Sequence, residues 1–263
     1  MKILFIALLA LPVFADETLP VEDGAPVLQA DTSGDEPKFN PRAAHWIGQF
    51  NFEQANLEFP FTFAGATKNY NDRRLSLYGM RAGFGRELYI PGGFLLGGRL
   101  DAYYLGTLFT SEKTVSGADN IVVRAEKTVG QMYGGEAVAH LGWMFDYLTE
   151  NPLGEMGYFS LEIFGEAGLG VGRSYARTQY ESKISPVEYY RAMIEDEFTS
   201  QTVSAGFNIL SNTTGFFMTL KGSRLDRDVT KRKYRKLGDP DTTVEDPAVD
   251  PVYVFTLGGG YKF

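Results

Sequence analysis

The sequence predicts an all-β fold in which about eight antiparallel strands close into an up-and-down barrel. Apolar and polar residues alternate one by one along most of the chain, and the connections between these alternating segments are short and long in turn. The 263 residues also include 30 glycines, and 14% of the chain is aromatic. Because glycine weakens an exposed strand but leaves room inside a narrow barrel, its abundance favours a barrel over a soluble sandwich.

The first residues of the chain, 1–15, predict a cleaved export signal. A basic residue precedes an apolar run, and Val13 and Ala15 supply the small residues of a cleavage site. The run is too short to span a bilayer. Residues 16–43 are acidic and proline-rich and contain little that can pack, so we expect a disordered acidic arm on the periplasmic side. The barrel is assigned to residues 44–263.

The alternating segments number about eight. Each carries large apolar residues on one face and mostly small, polar or charged residues on the other, as expected of a strand between lipid and lumen. They cover residues 44–54, 73–87, 94–111, 125–147, 157–180, 198–210, 215–227 and 252–263.

The connections alternate in length. Those after the second, fourth and sixth segments are short and rich in turn-forming residues. Those after the other segments are long and polar, and they cover residues 55–72, 112–124, 181–197 and 228–251. Since both termini of a transmembrane barrel lie on the side of its short turns, we predict four long extracellular loops.

The first long connection leaves the strand count open. Leu57, Phe59, Phe61 and Phe63 alternate in the parity opposite to that of Trp46. A bulge that lengthens the first strand accounts for this change. An additional hairpin, which gives ten strands, accounts for it as well.

Aromatic residues fall near the segment ends beside the short turns, where they predict an interfacial girdle. They are Trp46, Trp143, Phe145, Tyr147, Tyr158, Phe159, Phe216, Tyr261 and Phe263.

The chain ends on the alternating residues Phe255, Leu257, Tyr261 and Phe263. This end resembles the C-terminal targeting strand of Gram-negative outer-membrane proteins. Together with the export signal and the loop pattern, it makes residues 44–263 resemble a small eight-stranded barrel of the OmpA-transmembrane-domain and OmpX type. The resemblance implies a monomer in the cell outer membrane that contacts lipid and lipopolysaccharide. It also implies that the barrel-assembly machinery reads the last strand as an added edge strand.

Charged residues on the small, polar faces predict a network inside the lumen. In a low-dielectric interior each charge needs a partner, so a mixed set of acids and bases is what a filled barrel requires. We expect this network to have a structural role, and the alternative is a narrow or gated porin in which the ion pairs rearrange. The predicted network comprises Arg81, Arg99, Asp101, Glu136, Glu162, Glu166 and Lys221, with Glu53, His140 and Lys262 on the same faces.

Composition and spacing argue against other functions. Without cysteine there is no disulfide, thiolate metal site or cysteine nucleophile, and a net charge of −8 argues against a nucleic-acid partner. A lipid A-modifying enzyme needs a histidine, a serine and an acid at the outer rim, and the predicted topology places neither His45 nor His140 there. We therefore expect no enzymatic activity, no cofactor and no metal, but a structural or surface-interaction role.

The last long connection is segregated by charge. Basic residues at 231–236 precede acidic residues at 239–250. We expect the two groups to pair, and contact of the basic cluster with lipopolysaccharide phosphates is the alternative.

Overall fold

The computed structural model describes residues 39–58, 74–108, 111–116, 122–145, 159–182, 188–236 and 241–263. Their regular elements are β1 (His45–Glu58), β2 (Arg74–Ile90), β3 (Phe94–Gly106), β4 (Ser111–Ser116), β5 (Val122–Phe145), β6 (Phe159–Ser182), β7 (Glu188–Ser211), β8 (Phe216–Lys236), β9 (Thr242–Glu245) and β10 (Val252–Lys262). Within these ranges, no helix has the length and apolar character that a membrane span requires.

Eight of the strands form a closed antiparallel ring. Its order is β1, β2, β3, β5, β6, β7, β8 and β10, and β10 closes the ring by pairing with both β8 and β1. β4 pairs with β5 and β9 pairs with β8, so these two short strands lie outside the ring. The predicted eight-stranded antiparallel barrel is therefore confirmed.

Side chains alternate between the outside and the inside of this ring. On β10, Tyr253, Phe255 and Leu257 point outward and are 65%, 53% and 49% exposed, whereas Val254 and Thr256 point inward and are buried. Large apolar side chains on the other ring strands are exposed in the same way. A continuous apolar exterior of this kind matches a lipid environment.

The ring strands differ in length. β1, β2, β3 and β10 contain 14, 17, 13 and 11 residues, whereas β5, β6 and β7 contain 24 each and β8 contains 21. A tilted strand crosses a bilayer with about 9–11 residues. The long strands therefore continue beyond the lipid-facing band on one side of the barrel.

We call this continuation the projecting sheet. On β6 the outward apolar positions end at Val171 and the exposed Arg173 follows, and on β8 the exposed Arg224 follows Gly222. The projecting sheet consists of residues 122–131, 173–182, 188–201 and 224–236, with β4 and β9 at its two edges.

Three of the predicted long loops are wrong in large part. Residues 112–116 belong to β4 and residues 122–124 to β5, residues 188–197 belong to β7, and residues 228–236 belong to β8. The polar composition of the last two segments resembles a loop, but opposite charges face one another across β7 and β8. Glu195 lies opposite Lys233, and Glu197 lies opposite Lys231. Such pairs stabilise a sheet that stands in water and needs no apolar outer face. Residues 59–72, 117–121, 183–187 and 237–240 of the predicted loops lie outside the described residues.

The first strand contains no bulge between His45 and Glu58, because β1 pairs with β2 in unbroken register over that range. Ala55 and Leu57 consequently point into the barrel and are fully buried. The expected bulge is therefore wrong for this range, and the alternative hairpin falls on residues 59–73, outside the described part.

The N-terminal end of the described chain contacts the barrel. Phe39 lies against His45 with ring centroids 4.6 Å apart, and the His45 ring forms a 2.7 Å hydrogen bond with the carbonyl oxygen of Asn40. Residues 39–43, which the prediction placed in the acidic arm, thus belong with the barrel. The export signal at 1–15 and the arm at 16–38 lie outside the described residues.

Aromatic side chains form a band at the end of the barrel that carries the short turns. Trp46 stacks on Phe84 with centroids 5.3 Å apart, and Phe94 stacks on Trp143 at 5.9 Å. Of the other residues predicted for this band, Phe145, Phe159, Phe216, Tyr261 and Phe263 are described there, and Tyr147 and Tyr158 lie outside the described residues.

Candidate functional sites: the lumen and the projecting sheet

The lumen is filled in three layers, apolar, charged and apolar. The inward residues of β3 follow this order from the short-turn end: Leu95, then Arg99 and Asp101, then Tyr103 and Leu105. The lower apolar layer consists of Ile47, Leu95, Met144, Leu210 and Phe217. The upper apolar layer includes Leu57, Leu77, Leu105, Met132 and Ile194, none of which is more than 1% exposed.

These two apolar layers are not predicted by the sequence, which indicated a mostly small and polar inner face. The inward face of a strand contributes only one or two apolar residues near an end. So few apolar residues on the polar face do not change the period-two pattern of the strand. Only the closed ring brings them together as layers.

Arg81 is the centre of the upper half of the charged layer. Its Nε lies 2.6 Å from Glu53 Oε1, and its Nη1 lies 2.6 Å from Glu136 Oε2 and 3.5 Å from Asp101 Oδ2. All four side chains are buried. One guanidinium therefore serves three carboxylates that come from three other strands.

Arg99 connects the two halves of the network. Its Nε donates to Asp101 Oδ1 over 2.6 Å, and its Nη1 lies 2.9 Å from Glu166 Oε1. Lys221 Nζ donates to the other oxygen of Glu166 over 2.9 Å. Both oxygens of this carboxylate are thus paired with cations.

His140 and Lys262 form the lower half of the network. His140 Nε2 lies 2.6 Å from Glu162 Oε1, and its Nδ1 lies 3.3 Å from Glu166 Oε1. Only the doubly protonated imidazolium donates from both nitrogens, so the geometry fits a charged His140. Lys262 Nζ donates to Glu87 and lies 3.4 Å from Glu162 Oε2.

Glu87, His140 and Glu162 present ligand atoms within 4.8 Å of one another, a spacing that a metal ion can use. The ammonium of Lys262 contacts both carboxylates of this group. A tethered cation therefore already supplies the positive charge, and we assign no metal to these residues.

All ten residues predicted for the lumen, from Glu53 to Lys262, are buried inside the ring. Their parity is the reason, because each lies an even number of residues from other inward positions of its strand. Glu87, which shares the parity of Arg81, is not among the predicted residues. The same is true of three neutral partners, Asn208, Thr219 and Thr256, which hydrogen-bond to Glu162, Asn208 and Glu53, respectively.

Glycines lie opposite the charged side chains inside the ring. A Cβ at Gly168 would overlap the Glu136 carboxylate, and a Cβ at Gly142 would overlap that of Glu162. These two positions explain why the inner faces contain so many glycines: each absent side chain leaves the space that a charged one fills.

The charged layer leaves little free space. The cavity lined by Glu87, Arg99, His140, Glu166 and Lys221 has a volume of about 20 Å³. A volume of this size holds about one water molecule. The described lumen side chains thus fill the barrel.

The projecting sheet carries a second, smaller group of buried charges. Asp196 accepts hydrogen bonds from Arg232 Nε and Nη2 over 2.7 and 2.9 Å. Burial opposes the charge on Arg232, but the ion pair with Asp196 outweighs it and raises the pKa of Arg232. Arg227 is also buried, and its Nη1 lies 3.4 Å from Ser174 Oγ.

The basic run at 231–236 is only partly paired as predicted. Arg235 lies 3.2 Å from Asp241, and Lys231 lies opposite Glu245 of β9, so acids that follow the run do face it. Arg232, in contrast, points inward to Asp196 on the preceding strand. The register of β7 with β8 decides this pairing, and the order of charges along the chain does not contain that information.

An eight-stranded antiparallel ring with an apolar exterior and a charged interior defines an outer-membrane β-barrel. The fold agrees with the sequence resemblance to small outer-membrane barrels. No protein-family model matches this sequence, and no curated protein sequence matches it.

Several solved structures are similar to this chain. The attachment invasion locus protein Ail of Yersinia pestis is 11% identical in its complex with the heparin analogue sucrose octasulfate, with a TM-score of 0.39 over 84% of this chain and 99% of that chain. A major outer membrane protein from Thermus thermophilus is 14% identical, with a TM-score of 0.36 over 82% and 99%. Outer membrane protein AlkL is 12% identical, with a TM-score of 0.36 over 94% and 96%.

Proposed function

We propose that this chain is a non-enzymatic, integral outer-membrane protein whose barrel is closed to solutes and whose projecting sheet acts at the cell surface. The observation that carries the proposal is the layered lumen, in which a charged network lies between two apolar layers. The barrel then serves as an anchor, and the surface that binds partners is the one outside the membrane.

The proposed orientation follows from strand length. At about 3.3 Å per residue, residues 224–236 of β8 extend on the order of 40 Å along the strand beyond the lipid-facing band. This extension lies at the end opposite the short turns and the two termini of the barrel, the end that faces the medium in outer-membrane barrels. Protease treatment of intact cells tests the orientation: cleavage near Lys231 supports it, and full protection of that segment contradicts it.

The closed lumen is supported by the fit of its side chains. An ion that entered would have to displace the upper apolar layer and then separate ion pairs that hold one another in a low-dielectric interior. A narrow or gated porin is the second candidate, because Arg81 has three carboxylates within reach and can exchange one for another.

Planar-bilayer recording of the refolded protein separates these candidates. We expect no reproducible conductance steps from the wild type. Steps that depend on salt and change in Glu162→Gln, but stay unchanged in the control Glu197→Gln, would establish a pore through the lumen. The control is matched because Glu197 loses the same charge on the outer face, where its side chain is 39% exposed.

Anionic lipid, above all lipopolysaccharide, is the partner that the outer face of the projecting sheet fits. Arg173 and Arg224 lie directly above the apolar band, at the level of lipid headgroups, and Lys231 and Lys233 lie above them on β8. Glu197 lies between Arg173 and Lys231, and Glu245 lies on the other side of Lys231, so basic and acidic residues alternate along this row. Cations near an anionic surface attract it electrostatically.

Refolding into vesicles with and without lipopolysaccharide tests this partner. We expect lipopolysaccharide to stabilise the wild type more than Arg173→Gln/Lys231→Gln, and the difference to shrink at high salt. Gln201→Asn, which changes an exposed uncharged residue of the same sheet, is the control. Equal stabilisation of all three proteins would remove lipopolysaccharide as the partner of this face.

Export and assembly are proposed from the two ends of the chain. Residues 1–15 act as the signal, so the mature protein is expected to begin at Asp16, which N-terminal sequencing of outer-membrane fractions tests. The outward residues Phe255, Leu257 and Tyr261 of β10, with Phe263 directly after it, act as the strand that the assembly machinery reads. We propose that the assembled barrel is a monomer, because its edges are closed by β10.

A further inference from the structure

A depression in the outer surface of the barrel lies at the upper edge of the apolar band, where β7, β8, β10 and β1 are neighbours. We call it the lateral slot. Its volume is about 540 Å³, and cavities that hold small ligands measure about 300–1,000 Å³. Ala205 and Gly222 form its floor, and the outward, exposed side chains of Val203, Tyr253 and Phe255 stand around them. The slot is thus large enough for part of a lipid molecule.

Register and residue size explain why the lateral slot is open. Ala205 lies beside Gly222 on β7, and Phe255 lies on the other side of Gly222 on β10. A Cβ at Gly222 would meet no atom within 4 Å, so this position has free room on the outer face. An apolar recess that faces lipid loses dispersion contacts unless a lipid chain enters it.

The lateral slot is apolar at its lower end and cationic at its upper end. In the next row toward the short turns, Phe207, Leu220 and Leu257 face outward. At the upper end, Arg224 takes the outward position that follows Gly222 on β8. A lipid has the same polarity when its headgroup lies at the membrane surface and its chains lie below.

Arg224 keeps a donor for an anion. Its Nε and Nη2 donate to one oxygen of Asp226 over 3.1 and 2.9 Å, and its Nη1 makes no hydrogen bond within the described part of the chain. A guanidinium has five N–H donors, so Asp226 orients the group without using all of them. Val203 and Tyr253 lie on either side of Arg224, so both of its cross-strand neighbours are uncharged. Among the described residues that line the slot, Arg224 carries the only charge.

Two amides of β1 also line the lateral slot. Gln54 lies opposite Phe255, and Asn56 is the next outward residue of β1. Asn56 Oδ1 accepts from Ser76 Oγ over 2.9 Å, which leaves the amide nitrogen of Asn56 to donate. Neutral donors beside a cation match the phosphate and ester oxygens of a lipid headgroup.

We propose that the lateral slot binds one molecule of a phosphorylated acyl lipid of the outer leaflet, with a phosphate at Arg224 and an acyl chain over Gly222 and Ala205. The site rests on the proposed contact of the outer face with lipopolysaccharide, whose lipid A part carries both phosphates and acyl chains. It adds a fixed position and a fixed stoichiometry to that contact, because a slot with one cation holds one headgroup.

Native mass spectrometry of the full-length protein, refolded in a neutral detergent, counts the lipids that stay bound. With lipid A as the probe, we expect one molecule per barrel. Arg224→Gln removes the cation and Gly222→Leu fills the slot, and each should weaken the binding about tenfold. Ala102→Leu is the matched control, because Ala102 also faces outward but lies on β3, which does not line the slot. It should bind lipid A as the wild type does.

Several outcomes overturn the lateral slot. One is unchanged binding of lipid A in Gly222→Leu and Arg224→Gln. If Gly222→Leu does not fold, Arg224→Gln decides alone, since its side chain is 55% exposed. Equally tight binding of lipid A without its phosphates would leave an acyl groove, and equally tight binding of inorganic phosphate would leave an anion site. A dimer of this chain that Gly222→Leu dissociates would make a second copy the occupant.

The slot and the wider lipopolysaccharide contact fail separately. Stabilisation by lipopolysaccharide vesicles that depends on Arg173 and Lys231, without a bound lipid A on the wild type, overturns the slot and keeps the wider contact. A bound lipid A that Arg224→Gln loses, together with equal vesicle stabilisation of Arg173→Gln/Lys231→Gln and the wild type, keeps the slot and overturns the wider contact.

Discussion

Replacing Arg81 by methionine removes the cation that holds the upper half of the charged layer together. Glu53, Asp101 and Glu136 lie 2.6, 3.5 and 2.6 Å from this guanidinium. Asp101 keeps its hydrogen bond from Arg99, but Glu53 is left with the hydroxyl of Thr256 as its donor, and Glu136 loses the hydrogen bond from Arg81. Removing one partner of a buried ion pair costs about 3–5 kcal/mol of unfolding free energy, and we expect Arg81→Met to lose an amount in this range.

The assay is urea unfolding of the refolded barrel in bilayers, followed by the difference in gel mobility between folded and boiled protein. Arg173→Met is the matched control, because Arg173 lies 2.8 Å from Glu197 but is 53% exposed. Exposed ion pairs contribute about 0–1 kcal/mol. Similar losses in the two variants would refute the idea that the lumen network holds the barrel together. Adding Glu53→Gln and Glu136→Gln to Arg81→Met should restore much of the loss, since both carboxylates that lost the guanidinium are then replaced by neutral amides.

Three further predictions follow from the two faces of the strands. Gly168→Ala should destabilise the barrel by roughly 1–3 kcal/mol through overpacking, whereas Gly222→Ala, whose Cβ meets no atom within 4 Å, should be neutral in the same unfolding assay. Leu100→Arg should cost about 2–4 kcal/mol because its side chain, 65% exposed, faces lipid, and Gln201→Arg, at the upper edge of the apolar band, should cost only about 0–1 kcal/mol. Phe263→Ala should lower the amount of barrel assembled in cells while the purified protein still refolds in detergent, and equal defects in both settings would contradict a targeting role.

The alternation of apolar and polar residues with a period of two predicts most of the barrel strands. It fixes which side chains of β10, β6 and β5 face lipid and which face the lumen, because successive strand residues must point to opposite sides. The ten charged residues of the lumen follow from this parity alone. The positions at which the strands end do not follow from parity. The outer halves of β7 and β8 lose their apolar face where they leave the membrane, and the remaining polar sequence resembles a loop.

The pairing partners inside the barrel depend on register and closure. Arg81 and Glu136 are separated by 55 positions in the chain, and Lys262 and Glu87 by 175. No local pattern predicts that one guanidinium meets three carboxylates, or that Arg232 meets Asp196 and not the acids that follow it. The same closure collects single apolar residues from separate strands into two layers.

The class of the fold and the character of each strand face follow from the amino-acid sequence, because both depend on a repeat that is visible in neighbouring residues. The sequence left eight and ten strands open, and the closed ring has eight. Three other features become visible once the ring is closed: the layers of the lumen, the partners of its buried charges, and the charged sheet that the longest strands form beyond the lipid. These features depend on which residues of distant strands come to lie at the same height, and that is set by the stagger of the closed ring.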